Sequence, residues 1–281
     1  MKQFTDHELI HWDGKSRTSV SHKLIGEEPL SIRVQGKPYS VVMRTPGDEI
    51  AHVAGFALAE GLVDNPDDLG SIAFCDGSDT NVVTVTLSPS RQDKIPKHLD
   101  RREFVSQTSC GLCGKQIVEE LHQIIQPIKD ESVIPGEMAL NCLENLRDHQ
   151  PLRHQTRAAH AAAIYNSDFE LLSIAEDVGR HNALDKTVGK LFLEGTLRDA
   201  VLLILSSRIS YELVQKAARA RIPIILAISR PTALAVELAS QLNMTLACLA
   251  KGSGIFIFCG GHRLATGNTS ESKGQLGSAI G

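Results

Sequence analysis

The residues best equipped for chemistry lie mid-chain, in Thr108-Ser109-Cys110-Gly111-Leu112-Cys113-Gly114-Lys115. A glycine follows each cysteine, so the backbone can bend freely there and present either sulfur to a partner. Lys115, and the helix expected to follow it, set a cation and the positive end of a macrodipole beside Cys113, and both favour thiolate over thiol. A thiolate attacks sulfur and binds metal, which leaves four uses for the pair. They are two unreactive loop cysteines, half of a structural zinc site, a dithiol redox couple, or a sulfur carrier that takes the outer sulfur of a donor persulfide and holds it as Cys-S-SH.

Spacing weighs on these uses. A closed zinc site needs four ligands, and no second C-x-x-C or H-x3-5-H follows at ribbon or finger spacing. Zinc deaminases carry H-x-E and then P-C-x-x-C, whereas here Ser109 precedes Cys110 and His160 is followed by Ala161 and Ala162. A thioredoxin-type pair follows a buried strand directly; this one follows a polar, basic stretch over 88–103. Sulfur carriage fits best. Cys113 would then either expel the bound sulfur as sulfide by closing a disulfide or relay it inward, and both routes stay open.

A second constellation is Ser206-Ser207-Arg208, Ser229-Arg230-Pro231-Thr232 and Ala250-Lys251-Gly252-Ser253-Gly254, each following an apolar run. If those runs are parallel strands, all three clusters share the carboxyl edge of one sheet, where ligands bind and helix N-termini cradle phosphate. Capping by Ser210 and Thr232 accounts for part of the pattern. It does not account for Arg208, Arg230 and Lys251 converging on one edge, so an anionic ligand is expected there. A third cluster, Glu176-Asp177-Val178-Gly179-Arg180-His181-Asn182-Ala183-Leu184-Asp185-Lys186, lies where a strand feeds a helix. Its carboxylates suit guanine N1 and N2 donors, and Arg180 and His181 suit phosphate. His160 alone, beside three alanines, reads as a satisfied core histidine.

The elements that must position these groups follow from periodicity. Residues 29–35 and 38–44 read as a β-hairpin about Gly36. Thr45-Pro46-Gly47-Asp48 then reads as a helix start with a hydroxyl N-cap, followed by an apolar-periodic run to Leu62. Runs at 71–75 and 81–87 flank a turn, giving an N-terminal α+β portion. Helices are expected at 115–125 and 136–147. After the 171–175 strand, continuous apolar runs at 201–205, 222–228 and 245–249 alternate with helical patterns at 210–220 and 232–242, the grammar of a parallel sheet covered on both faces. The expected divisions are 1–104, a C-terminal α/β domain over 105–266 and a mobile tail over 267–281.

Composition narrows the classes. At 281 residues, with 42% hydrophobic and 22% charged, the chain has ample material for a core. A net charge of −4 offers no broad cationic field for nucleic acid. No apolar run has signal-peptide or membrane-span length, and six scattered cysteines form no disulfide framework, so a cytoplasmic location is expected.

Six segments together carry a family likeness: Glu28-Pro29-Leu30, Val42 through Asp48, Gly55-Phe56 with Glu60-Gly61, Ser109 through Lys115, His160-Ala161-Ala162-Ala163, and Glu176 through Lys186. By these the chain resembles the formate dehydrogenase accessory sulfurtransferase family (FdhD/NarQ), nearly end to end. The resemblance implies a cytidine deaminase-like three-layer α/β/α core with a mainly parallel sheet, and a homodimer. It implies sulfur transfer from a cysteine desulfurase to the molybdenum cofactor bearing two guanine dinucleotides, ahead of insertion into the formate dehydrogenase apoenzyme. Cys110 would carry the persulfide, with Cys113 as relay or resolving thiol. The family's cofactor-binding stretch falls on Leu249, Ala250, Lys251, Gly252, Ser253 and Gly254. Ser206, Arg208, Ser229, Thr232, Asp177, Arg180, His181, Asn182 and His160 complete the binding candidates, with GDP or GMP as mimics and no metal held by the protein itself. The chain departs from the family at Arg157 and Ala158, where glycines are usual, at Ser207 (glycine), Arg230 (alanine) and Lys251 (arginine). Two other classes compete: a non-catalytic guanine-nucleotide or cofactor module with a redox-sensing pair, and a dithiol oxidoreductase.

Overall fold

A computed structural model of the chain describes residues 2–76, 79–92, 125–250, 252 and 254–266. Cys110, Cys113, most of the 115–125 helix, the 88–103 stretch beyond Gln92, Lys251, Ser253 and the 267–281 tail lie outside the described residues.

Strands β1 (Phe4–Trp12) and β2 (Arg17–Ile25) pair as an antiparallel hairpin. Its side chains are mostly exposed on both faces, with Trp12 at 69%. Strands β3 (Glu28–Val34) and β4 (Lys37–Arg44) form the expected hairpin. Gln35 and Gly36 both take positive φ, 52° and 75°, as a two-residue turn matched to strand twist requires. Helix α1 (Glu49–Ala59) follows, then β5 (Leu69–Asp76), β6 (Asp79–Leu87) and a helical turn, α2 (Pro89–Gln92). The four strands pair in the order β4-β3-β6-β5, with β3 and β6 parallel. Alternation along β3 sends Leu30, Ile32 and Val34 into the core.

Past residue 125 come β7 (Ile134–Pro135), α3 (Gly136–Asn145), α4 (Pro151–Thr156), β8 (His160–Tyr165), β9 (Leu171–Asp177) and α5 (Arg180–Glu194). Then β10 (Leu202–Leu205), α6 (Tyr211–Arg219), β11 (Ile224–Ala227), α7 (Ala233–Gln241), β12 (Thr245–Leu249), β13 (Ile255–Cys259) and β14 (Leu264–Ala265) complete the fold. The larger sheet has six strands in the order β13-β12-β11-β10-β8-β9. It corrects the expectation of a mainly parallel sheet. Only β10, β11 and β12 pair in parallel, joined by α6 and α7 as crossovers, while the β8–β10, β8–β9 and β12–β13 pairings are antiparallel. The links from β8 to β9 and from β12 to β13 are too short for a crossover, so each must turn the chain back.

Both faces of this sheet are covered. Ala162, Ile164, Leu203, Leu205, Ile225 and Leu246 pack into a core shared with α1, α5, α6, α7 and the inner face of the four-stranded sheet. Ala161, Ala163, Leu202, Ile204, Ile224 and Leu226 pack on the other side, against Ala139, Cys142 and Leu143 of α3. Helices α1 and α5 cross in backbone contact. A Cβ at Gly55 would lie 2.0 Å from the Asp185 carbonyl oxygen, and one at Gly189 would lie 1.8 Å from that of Ala51. Glycine is required at both positions because any side chain would force the helices apart.

The helix start at Thr45 is also corrected. Helix α1 begins at Glu49, preceded by Asp48 at φ 58°, and no side chain caps it. Thr45 is fully buried and serves a different junction.

Candidate functional site

Because β8 enters antiparallel, its first residue meets the last residues of its neighbours. His160 pairs with Asp177 at the end of β9. On its other side, the Ser206 N–H donates to the Ala161 carbonyl at 3.0 Å, and Ser206 Oγ accepts from the Ala161 N–H at 2.8 Å. Beyond β10 the Ile228 N–H donates to Leu205, which sets Ser229 and Arg230 next along the row, and the Ala250 N–H donates to Gly254 at 2.9 Å in the β12–β13 turn. Thus Asp177, His160, Ser206, Arg208, Ser229, Leu249, Ala250, Gly252 and Gly254 share one edge of the sheet. Thr232 accepts from the Ala235 N–H and caps α7 as expected. Ser210 does not cap α6; its hydroxyl lies 3.3 Å from His181 Nε2.

The β9–α5 junction is welded to the chain entering α1. The Asp177 carboxylate is fully buried and accepts from the Thr45 N–H (3.0 Å), the Gly179 N–H (2.8 Å) and Asn182 Nδ2 (2.9 Å), and pairs with Lys186 Nζ at 2.7 Å. Lys186 also donates to the Thr45 carbonyl (2.7 Å), Asn182 to the Met43 carbonyl (2.7 Å), and the Val178 N–H to Thr45 Oγ1 (3.0 Å). Asp177 and Asn182 therefore face inward and hold the junction. Glu176 binds the Leu152 and Arg153 N–H groups at 2.7 and 2.8 Å, and burial pushes its carboxyl above the usual range despite them. Behind the junction, Arg44 pairs with Glu49 at 3.0 Å and donates to Asn81 at 2.8 Å. His52 on α1 is fully buried. Burial, then the charges of Lys186, Lys216 and Arg44, hold it well below 6.5 and hence neutral.

Two groups on the edge lack partners. His160 Nδ1 and Arg180 Nε are buried atoms with no hydrogen bond among the described residues. Burial and the charges of Arg180 and Arg153 hold His160 below 6.5. Its ring is half-buried rather than in the core, with the cations Arg180 and Arg153 and the Asp177 carboxylate around it. Buried polar atoms are ordinarily paired, and these two nitrogens lack a hydrogen bond among the described residues. His181 instead contacts Glu212 Oε2 at 2.9 Å. Two cavities, of about 390 and 220 Å³, share Asp48 and Lys190 in their walls, and neither is lined by His160, Arg180 or Ser206. Sequence reasoning missed Thr45 as a junction residue and Glu212 as a partner of His181. The first lay inside a recognised segment, and the second carries no local signal.

These features define a mixed α/β protein in which two sheets share a helical layer and one sheet ends in a polar, cation-rich edge. The FdhD/NarQ family model matches residues 25–265, and the chain belongs to that family. It is 40% identical over 252 residues to the sulfur carrier protein FdhD of Streptomyces coelicolor, covering 86% of this chain and 89% of that one. It is 36% identical over 251 residues to the sulfur carrier protein FdhD of Mycobacterium tuberculosis, covering 85% and 90%. A solved structure from Desulfotalea psychrophila, assigned to the formate dehydrogenase accessory proteins, shares the fold with a TM-score of 0.75 at 22% identity, over 94% of this chain and 100% of that one. The Arg157 departure has a conformational side: Arg157 ends α4 with φ 61°, the left-handed region that favours glycine. No described helix is long and apolar enough to cross a membrane.

Proposed function

We propose that this protein is a cytoplasmic sulfur carrier for formate dehydrogenase maturation, taking sulfane sulfur from a cysteine desulfurase and delivering it to the molybdenum cofactor bearing two guanine dinucleotides. The Cys110 thiolate attacks the outer sulfur of the donor's Cys-S-SH. The donor S–S bond breaks, its cysteine leaves as thiolate, and Cys110 holds the sulfur as Cys-S-SH with no net change in electrons. Release follows one of two balanced routes. Direct transfer to the cofactor would leave both cysteines reduced, with the acceptor giving up the two electrons that take the sulfane sulfur to sulfide. Attack by Cys113 on the inner sulfur expels HS⁻ and leaves a Cys110–Cys113 disulfide, which a thiol reductant must reopen. The redox state of the pair after one turnover separates them.

The observation that carries the cofactor reading is the pair His160 Nδ1 and Arg180 Nε, without hydrogen bonds among the described residues, on the edge that also bears Ser206, Ser229, Leu249 and Ala250. Both are nitrogens suited to phosphate oxygens, and α5 starts at Arg180 with its unpaired N–H groups at the same place. In this reading Lys251 and Ser253 add to the same phosphate contacts, the six-stranded sheet is a cytidine deaminase-like core, and the working form is a homodimer. GDP or GMP would occupy the guanine nucleotide part of the site.

Incubation with a cysteine desulfurase and cysteine, followed by mass spectrometry under non-reducing conditions, should add about 32 Da to the Cys110 peptide. No adduct on the wild type, or an adduct persisting after Cys110→Ala and Cys113→Ala together, would overturn the proposal.

A further inference from the structure

Arg153 is marked by no motif and stands outside every cluster of candidate residues, yet α4 carries it to the edge where β8 begins. Its backbone N–H donates to Glu176 at 2.8 Å, which ties α4 to the end of β9. Its Nη1 donates to the Ala159 carbonyl at 3.0 Å, and Ala159 is the residue immediately before His160. His160 in turn pairs with Asp177, three residues ahead of Arg180 at the start of α5. Two arginines therefore reach the same corner from separate helices. The His160 ring registers both: burial first, then the charges of Arg180 and Arg153, hold it below 6.5.

The donors left over at this corner match what phosphate requires. A guanidinium holds five N–H groups in a rigid fork, and the Ala159 carbonyl takes one of those of Arg153, which is exposed. Arg180 Nε is buried without a hydrogen bond among the described residues. Three carboxylates lie nearby, and each is already engaged. Asp177 is held by Thr45, Gly179, Asn182 and Lys186, Glu176 by the Leu152 and Arg153 N–H groups, and Glu212 by His181. An anion arriving here meets two permanent cations rather than two satisfied ion pairs. We infer that Arg153 is a phosphate-binding residue of this edge, acting together with Arg180 beside His160 on the phosphates of a guanine nucleotide. The inference rests on the edge being the phosphate site proposed above. The bond to Ala159 also pins the chain where β8 starts, and that role alone would weaken ligand binding by the same factor at every salt concentration.

The test measures binding of GDP to the full chain by calorimetry as salt is raised from about 0.05 to about 0.5 M, over which the range of a charge shrinks severalfold. At low salt Arg153→Gln should bind GDP about tenfold more weakly than wild type, the loss of one charge-assisted contact, and the gap should narrow to about two- or threefold at high salt. Arg153→Lys keeps the charge without the fork, so it should bind a few-fold more weakly than wild type and keep the wild-type salt dependence. Arg180→Gln should lose affinity as Arg153→Gln does, and circular dichroism should show that all variants are folded. If Arg153→Gln binds GDP like wild type while Arg180→Gln is weakened, the inference is overturned and the phosphate edge stands. A gap for Arg153→Gln that stays constant as salt rises would also overturn it, leaving the residue a purely structural pin. Should Arg153→Gln fail to fold, Arg153→Lys decides alone, and an affinity equal to that of wild type would sink the idea. Absence of GDP binding by the wild type at every salt concentration would overturn the edge reading as well.

Discussion

Asp177 and Lys186 form an ion pair wholly inside the protein, and its two halves should not be equally dispensable. Removing the carboxylate by Asp177→Ala strands a buried ammonium and leaves the Thr45 and Gly179 N–H groups and one Asn182 hydrogen without their acceptor. Breaking a buried pair by removing one partner costs about 3–5 kcal/mol. Against a total of roughly 5–15 kcal/mol that is a large share, and at about 2–4 °C per kcal/mol the melting temperature should fall by roughly 10 °C. Lys186→Met leaves the carboxylate with its other donors, and the aliphatic stem is replaced by one of similar shape. Its cost should be about 1–3 kcal/mol, from the lost pairing and the stranded Thr45 carbonyl. The double variant no longer buries an unpaired ammonium, so it should be no less stable than Asp177→Ala alone. Urea unfolding followed by far-ultraviolet circular dichroism measures this. Fluorescence does not, because Trp12, the one tryptophan, is exposed on the β1–β2 hairpin. A cost for Lys186→Met equal to or above that of Asp177→Ala would refute the claim that the carboxylate organises the junction.

Other consequences are equally open to measurement. Gly189→Ala should destabilise by about 1–3 kcal/mol or prevent folding, because its methyl would meet the Ala51 carbonyl; unchanged urea midpoints would show that α1 can move away. Arg157→Gly should raise stability by about 0.5 kcal/mol and Arg157→Val lower it by about 1 kcal/mol, since φ 61° costs a branched side chain most and glycine nothing; thermal melts of the pair decide it. His52 stays neutral in the fold, so the unfolded chain takes up the extra proton below pH 6.5 and stability is lost on acidification. Burial pushes the Glu176 and Asp185 carboxyls up, which acts in the opposite direction, so the informative quantity is the difference in slope between wild type and His52→Leu. Equal slopes would sink the assignment.

Much of the scaffold was legible because its signals are local. The β3–β4 hairpin announces itself through alternation and Gly36, and the β10-α6-β11-α7-β12 unit through unbroken apolar runs between amphipathic ones. Strand β8 was not legible, because alanine is a helix former and a run of three gives no β signal. The structure explains the run: small side chains let α5 come close enough for Thr187 Oγ1 to donate to the Ala162 carbonyl at 3.0 Å. Strand direction was also hidden, since β8, β9 and β13 are as apolar as parallel strands would be, and only their links decide. Hairpin β1–β2 was missed because its side chains are exposed on both faces, leaving no alternation to read. Within the candidate site, the clusters beginning at Ser206, Ser229 and Leu249 fall on one sheet edge as expected from the strand pattern, and the topology brings Asp177 and His160 to the same edge. What sequence could not apportion was which polar groups face inward. Asp177 and Asn182 are consumed by partners more than 130 positions away, at Met43 and Thr45, which no local pattern reveals.

The bond between residues 43–45 and 177–186 also governs how this chain can be recombined with its relatives. Each segment completes the other's hydrogen bonding, so a chimera that grafts one without its counterpart inherits half a lock. Exchanged together, they should travel between family members as a single cassette, although more than a hundred residues of unrelated chain lie between them.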